Sequence, residues 1–241
     1  MLSKSIIIPS QHETEEYVSP IFITPKRDGT FRLILNLKKL NEYVTYEHFK
    51  MESIHSVAYC ISPNCYMAKI DLKDAYYSVG IHPDYQKFLK FEWDGQLYQY
   101  VCYPNGLSSC PRKFTKLFKP VLAQLRIMAI VIAGYLDDFF TCSDSYISCL
   151  HNMNRIKKMF SELGFVVHPS KSSIVPSQQI EFLGFNLNSI TMTISLTTEK
   201  RHRLNELIQI LLSTPLLTIQ FVGKVLGTMI SSFPASKYGP L

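Results

Sequence analysis

Asp137 and Asp138 stand side by side between two apolar runs, Val131-Ile132-Ala133-Gly134 before Tyr135-Leu136 and Phe139-Phe140 after. Neighbouring anions repel each other, so the pair requires a reason. Side chains alternate along a strand, and a hairpin with both aspartates at its tip directs one carboxylate into a cleft and the other aside. That geometry suits a divalent metal. A second apolar-to-acidic switch, Met67-Ala68-Lys69-Ile70-Asp71, would bring a third carboxylate to the end of a neighbouring strand. Hard oxygen ligands from two strands are what Mg²⁺ prefers alongside substrate phosphates. On spacing alone an ordinary turn explains the pair equally well, because aspartate favours turns through its own backbone hydrogen bonds.

The elements that must position these carboxylates can be read around them. Pro20–Thr24 and Phe31–Leu35 flank Lys26-Arg27-Asp28-Gly29-Thr30, where Asp-Gly signals a hairpin turn and basic residues crowd its tip. A second hairpin, Lys87–Glu92 with Leu97–Val101, turns at Asp94-Gly95. From Pro111 the residues Phe114, Leu117, Phe118, Val121, Leu122 and Leu125 recur at helical spacing, with Arg112, Lys116 and Lys119 on another face. That basic stripe reads as a solvated face or as a nucleic-acid track. Ile147, Leu150, Ile156, Phe160 and Leu163 predict a helix ended by Gly164, and Phe182–Leu187 reads as strand. Helix returns after Thr197 with Leu204, Leu207, Ile208 and Leu211, breaks at Pro215, and resumes behind Thr218 as the tail's own small unit. Gly223 and Gly227, four apart on this last helix, suggest close helix packing.

A chain of 241 residues, 46% hydrophobic and 18% charged, can bury a substantial core, which argues against disorder. The net charge of +6 fits a polyanionic partner without demonstrating one. The six cysteines show no Cys-x-x-Cys pair and no zinc spacing with the seven histidines, and read as reduced thiols. With no secretory start and no apolar run near the ~18 residues of a spanning helix, the expectation is an intracellular soluble protein without a membrane partner.

Taken in order, these pieces resemble a reverse transcriptase of the retroviral and long-terminal-repeat retrotransposon kind. Tyr135-Leu136-Asp137-Asp138 matches the family's Tyr-x-Asp-Asp motif, and Lys69–Tyr77 is similar to its first catalytic motif. Tyr103-Pro104-Asn105-Gly106-Leu107-Ser108-Ser109 resembles the motif after the second hairpin, and Phe31–Asn41 the fingers strand. Gly164–Lys171 resembles the lysine-bearing motif and Phe182-Leu183-Gly184-Phe185 the primer grip. The tail, Ser231–Ala235 through Tyr238–Leu241, further resembles the DIRS-type retroelement branch.

The resemblance implies an α+β right-hand polymerase fold with split fingers, a palm of antiparallel sheet backed by helices, and a truncated helical thumb. Residues 1–66 would be the first part of the fingers, 67–78 the palm segment with Asp71, and 79–109 the second part of the fingers. Residues 110–195 would complete the palm and 196–241 form a partial thumb or connection. It implies two Mg²⁺ ions, with Mn²⁺ as a substitute, held by Asp71, Asp137, Asp138 and the Leu72 carbonyl. Lys26, Arg32, Asp74, Ala75, Tyr76, Asn105 and Lys171 would meet the deoxynucleoside triphosphate. Lys26 has Arg27 as a neighbouring candidate, and Tyr76 has Tyr77. Tyr135, Phe182, Leu183, Gly184, Arg112 and Lys116 would meet a DNA primer on an RNA or DNA template. Asn105 stands where relatives usually carry Gln or an apolar aromatic, and Asn36 replaces an acidic residue. The expected activity is RNA-directed DNA polymerisation, with RNase H and recombinase domains of one polyprotein as further partners. Rival readings are an inactive nucleic-acid-binding fragment of such a polyprotein and a palm-fold nucleotide cyclase, against which the basic fingers hairpin argues.

Overall fold

Gln179–Phe182 and Phe185–Asn188 alternate exposed and buried positions as half-buried strands do, whereas Tyr66–Lys73 and Asp138–Ser143 are buried along most of their length, and threonine caps set the last two helices. The computed structural model describes residues 1–25, 29 and 31–236. Strands β1 (Ile7–Pro9), β2 (Ile21–Pro25) and β3 (Phe31–Leu35) precede short helices α1 (Lys38–Tyr43) and α2 (Ile54–Ala58). Strand β4 (Tyr66–Lys73) and helix α3 (Pro83–Gln86) lead to β5 (Lys90–Trp93), β6 (Gln96–Tyr100) and the long helix α4 (Cys110–Ile127). Then come β7 (Val131–Tyr135), β8 (Asp138–Ser143), helix α5 (Tyr146–Glu162), β9 (Val166–Val167) and β10 (Ser173–Ser177). Strands β11 (Gln179–Phe182), β12 (Phe185–Asn188) and β13 (Thr193–Leu196) precede α6 (Thr198–Ser213) and α7 (Ile219–Ile230).

The chain packs as two units. The first comprises residues 1–51, 72–123 and 160–167. Here β2 and β3 form a hairpin with Ile21 opposite Leu35, and β1, β6 and β5 form an antiparallel sheet in that order. Asp94 and Gly95, at φ 52° and 70°, make the two-residue turn that joins β5 to β6, the use for which Asp-Gly is suited. Ile6, Ile7, Leu35, Leu37, Leu89, Phe91, Tyr100 and Cys102 form its core. Lys90 is fully buried, and its ammonium bonds Glu13 at 2.7 Å, Glu16 at 2.8 Å and the Gln11 carbonyl at 2.7 Å. Burial pushes this ammonium down, but the two carboxylates more than offset that and hold it above the ordinary lysine range.

The second unit comprises residues 52–71, 124–159 and 168–241. Its main sheet runs β10-β4-β8-β7, and β11, β12 and β13 form a separate meander. Met67, Ala133, Phe140 and Cys142 from the first sheet share a core with Ile180, Phe182, Phe185 and Leu187 from the second. Phe140 and Phe182 meet with ring centroids 5.5 Å apart. Each such buried ring contributes about 2–3 kcal/mol. Thr197 and Thr218 cap α6 and α7, accepting from Lys200 N at 3.3 Å and Phe221 N at 3.2 Å.

Several sequence expectations need correction. Phe182–Leu187 is not one strand, because Leu183 and Gly184 take φ of 49° and 77° and fold it into a tight hairpin with Phe182 opposite Phe185. Leu117, Ile147 and Leu163 face solvent, whereas Cys149, Met153, Ile156 and Phe160 bury the face of α5. Lys87–Leu89 follows α3 rather than opening a strand. A methyl built on Gly223 or Gly227 meets no atom within 4 Å among the described residues, so neither glycine serves close packing. All six cysteines are free thiols. Among the described residues no helix is long and apolar enough to cross a membrane.

Candidate active site

Strand register brings the acidic residues together. Asp71, near the end of β4, lies directly opposite Asp138, the first residue of β8. Directly opposed residues point to the same face, with Cα atoms about 4.5–5.5 Å apart. Tyr135 pairs with Asp138 and closes a two-residue turn of Leu136 and Asp137. Leu136 sits at φ 55°, a left-handed conformation that strains a branched side chain and recurs at functional turns.

The Asp71 backbone is pinned from within the lysine-bearing segment, at His168, and from the residue just after it, Ser172. His168 N donates to the Asp71 carbonyl at 2.7 Å, and Asp71 N donates to Ser172 Oγ at 3.0 Å. Between them Lys171 brings its ammonium to 3.9 Å from the Asp71 carboxylate. His168 and Ser172 carry no local signal, since their partner is about a hundred positions away in sequence and meets them only through the fold.

Electrostatics single out the same cluster. Burial raises the Asp71 carboxyl above the ordinary range; Lys171 opposes the rise and Asp137 adds to it. Burial pushes Asp138 up to about 6, with the charges of Asp137 and Asp71 adding to it. Carboxylates raised by mutual repulsion and desolvation are what a divalent cation relieves, and the oxygen-only donor set fits Mg²⁺. Among the described residues no three His, Cys, Asp or Glu side chains form a ready-made cage. Mg²⁺ commonly takes one or two carboxylates and completes its shell with water and substrate phosphates, so the opposed Asp71 and Asp138 fit such a cation as part of its shell. The Leu72 side chain is buried, and the residue pairs with Val167 of β9.

The other candidates fall into separate groups. In the first unit Asn105 Nδ2 donates to the Tyr77 hydroxyl at 3.0 Å, and burial, with the charge of Asp74, raises that phenol while Arg32 opposes the rise. Tyr76 instead lays its ring edge against Phe114, centroids 5.4 Å apart. Ala75 is buried, and Asp74 accepts from Lys4 Nζ at 2.9 Å. Asn41 holds the Asn105 loop by donating to the Gly106 carbonyl and accepting from Ser108 N, each at 2.9 Å. Arg112 is drawn in to pair with Glu47 and does not belong to an exposed stripe, whereas Lys116 is exposed. Lys26, Arg27 and residues 238–241 lie outside the described residues. In the second unit Tyr135 is half-buried, and Phe182 is buried beside the Leu183-Gly184 turn. Lys200, which the sequence reading passed over, lies 4.0 Å from the centre of the Phe185 ring and donates to the Ser231 carbonyl at 2.7 Å.

Comparison with known proteins follows the same lines. The chain is 23% identical over 169 residues to the Transposon Tf2-3 polyprotein of Schizosaccharomyces pombe, covering 70% of this chain and 12% of that one. It is 25% identical over 186 residues to the Pro-Pol polyprotein of Simian foamy virus type 1, covering 77% of this chain and 16% of that one. The chain therefore spans well under a fifth of these polyproteins. Among solved structures, a foamy viral protease-reverse transcriptase in complex with double-stranded DNA superposes with a TM-score of 0.79 at 22% identity, covering 95% of this chain and 38% of that one. The same kind of protein in complex with an RNA/DNA hybrid gives 0.71 at 21% identity, over 95% of this chain and 29% of that one. These likenesses establish the fold, the α+β right-hand polymerase type with antiparallel sheets backed by helices. Residues 24–187 match the family profile described as "Reverse transcriptase (RNA-dependent DNA polymerase)", so the chain belongs to the reverse transcriptase family.

Proposed function

We propose that this chain is the RNA-directed DNA polymerase domain of a retroelement, adding deoxynucleotides to a primer 3′-hydroxyl. The observation that carries the reading is the opposition of Asp71 and Asp138 across β4 and β8 with Asp137 in the adjoining turn. Asp71 and Asp137 would hold two Mg²⁺ ions, or Mn²⁺ in their place, with Asp138 and the Leu72 carbonyl assisting. When bound, such cations make the hydroxyl a better nucleophile and neutralise charge on the leaving pyrophosphate. The protein's own share is chiefly positioning. Lys171, already beside Asp71, would hold or protonate the leaving group. Arg32, Lys26, Asp74, Ala75 and Asn105 would hold the nucleotide, and the Tyr76 ring would exclude a 2′-hydroxyl. Phe182, Leu183 and Gly184 would seat the primer end, with Tyr135, Arg112 and Lys116 along the primer–template.

The division proposed is fingers at 1–66 and 79–109, palm at 67–78 and 110–195, and partial thumb at 196–241. The solved relatives in complex with double-stranded DNA and with an RNA/DNA hybrid support a primer–template as the partner. Placement in the DIRS-type branch, and RNase H or recombinase domains in one polyprotein, rest on the sequence resemblance. Primer extension on an RNA template with Mg²⁺ tests the reading: wild type extends, Asp137→Asn does not, and equal extension by both removes it. The Asn105 departure favours one rival, a nucleic-acid-binding domain without catalysis. It predicts salt-sensitive primer–template binding with no extension.

A further inference from the structure

The sheet bearing Asp71 and Asp138 ends at β7, the strand that leads into the aspartate turn. An edge strand offers half of its N–H and C=O groups to no neighbour. Tyr135 and Asp138 close the two-residue turn, so parity makes Tyr135/Asp138, Ala133/Phe140 and Val131/Cys142 the hydrogen-bonded pairs of the ladder. Gly134 and Ile132 therefore turn their backbone groups outward.

Two side chains meet them. Glu52 Oε2 accepts from Gly134 N at 2.6 Å. Arg126 donates to the Ile132 carbonyl from Nη2 at 2.8 Å and from Nε at 3.3 Å. The pair is itself joined, Arg126 Nη2 donating to Glu52 Oε1 at 2.5 Å. A closed circuit results, from strand N–H to carboxylate, to guanidinium, to strand C=O. Carboxylate and guanidinium stand where the carbonyl and N–H of a further strand would stand. With the Glu52 and Arg126 side chains 31% and 48% exposed, the ion pair adds little to overall stability, and its effect is local.

We infer that Glu52 and Arg126 are positioning residues for the Asp137-Asp138 turn, acting as a surrogate strand on the open edge of β7. Asp137 lies three residues beyond Gly134, across a turn whose Leu136 is held in a strained conformation. Such a turn persists only while its flanking strands are fixed. Neither residue touches a reacting group; each works through the backbone of β7. The catalytic part of this inference rests on the polymerase reading, and the structural part does not.

The test compares wild type with Glu52→Ala, Glu52→Gln and Arg126→Lys by single-nucleotide extension on an RNA template with Mg²⁺, and by hydrogen exchange across residues 131–138. Glu52→Gln keeps an acceptor for Gly134, and Arg126→Lys keeps the charge without the fork. Glu52→Ala is expected to lower kcat about 10–100-fold, the usual effect of removing support behind metal ligands. KM for the nucleotide should stay within about twofold, Glu52→Gln should recover part of kcat, and exchange should quicken in 131–138 while α6 and α7 stay protected. Wild-type kcat and exchange in Glu52→Ala overturn the inference, as does exchange that quickens throughout the chain in all three variants. Should Glu52→Ala not fold, the milder two carry the same comparison. Should wild type itself not extend a primer, the polymerase reading falls and exchange alone decides: local loss of protection supports the surrogate strand, and unchanged protection overturns it.

Discussion

Asp138 ties the chemistry of the cluster to the stability of the fold. Its carboxyl titrates near the ordinary 3.8 in the unfolded chain and at about 6 in the folded protein. Between these values the folded state binds the extra proton, so stability is fully present below the lower value and declines as pH rises to the higher one. Above it the ionised group costs about 2 kcal/mol after allowance for partial exposure. Thermal unfolding should therefore show Asp138→Asn more stable than wild type at pH 8 and little changed at pH 4. An equal shift at both would contradict the assignment. The aspartates were legible in the sequence because two adjacent anions in an apolar frame are unusual. Ser172, His168, Lys200 and the Glu52–Arg126 pair were not, since each is a lone polar residue whose partner is supplied by folding.

At the scale of elements, local chemistry was legible wherever it is strong. Helix starts after Thr197 and behind Thr218 as the sequence suggests, with each threonine capping its helix, and Asp94-Gly95 is the turn its residue types announce. Thr218→Ala should lower the unfolding free energy by about 1 kcal/mol in a denaturant titration. The Leu183-Gly184 turn escaped because leucine has no preference for positive φ and the surrounding residues alternate as a strand does. Gly223 and Gly227 misled for the opposite reason: spacing suggested packing, yet both face open space. Replacing both by Ala should raise stability by roughly 1 kcal/mol each, since nothing opposes the helix propensity gained. Gly106→Ala should do the reverse, because a methyl there would lie 2.9 Å from the Leu35 carbonyl oxygen at a φ of 109°.

Across the whole molecule, separate stretches of chain are tied by polar groups that no periodicity announces. Lys90 fastens residues 11–16 to β5, and His12 together with Lys90 holds the Glu16 carboxyl down at about 2. A depressed carboxyl contributes stability above its unfolded value near 4.5, and that contribution is lost as pH falls toward 2. Lys90→Met should thus lower the melting temperature at pH 7 and converge on wild type as the medium is acidified through that window. A gap independent of pH would mean that packing alone fixes the segment. Architecture was legible through ordered motifs, because a polymerase palm needs its carboxylates on particular strands. Asp71, Asp137 and Asp138 are proposed to act together on divalent cations at a primer end. Single-nucleotide addition on an RNA template, followed as Mg²⁺ is raised, tests it most directly. Wild type should saturate with Mg²⁺ while Asp71→Asn and Asp137→Asn fall by a hundredfold or more, about the loss seen when charge stabilisation is removed from a reaction centre; equal rates in all three at every Mg²⁺ concentration would contradict it.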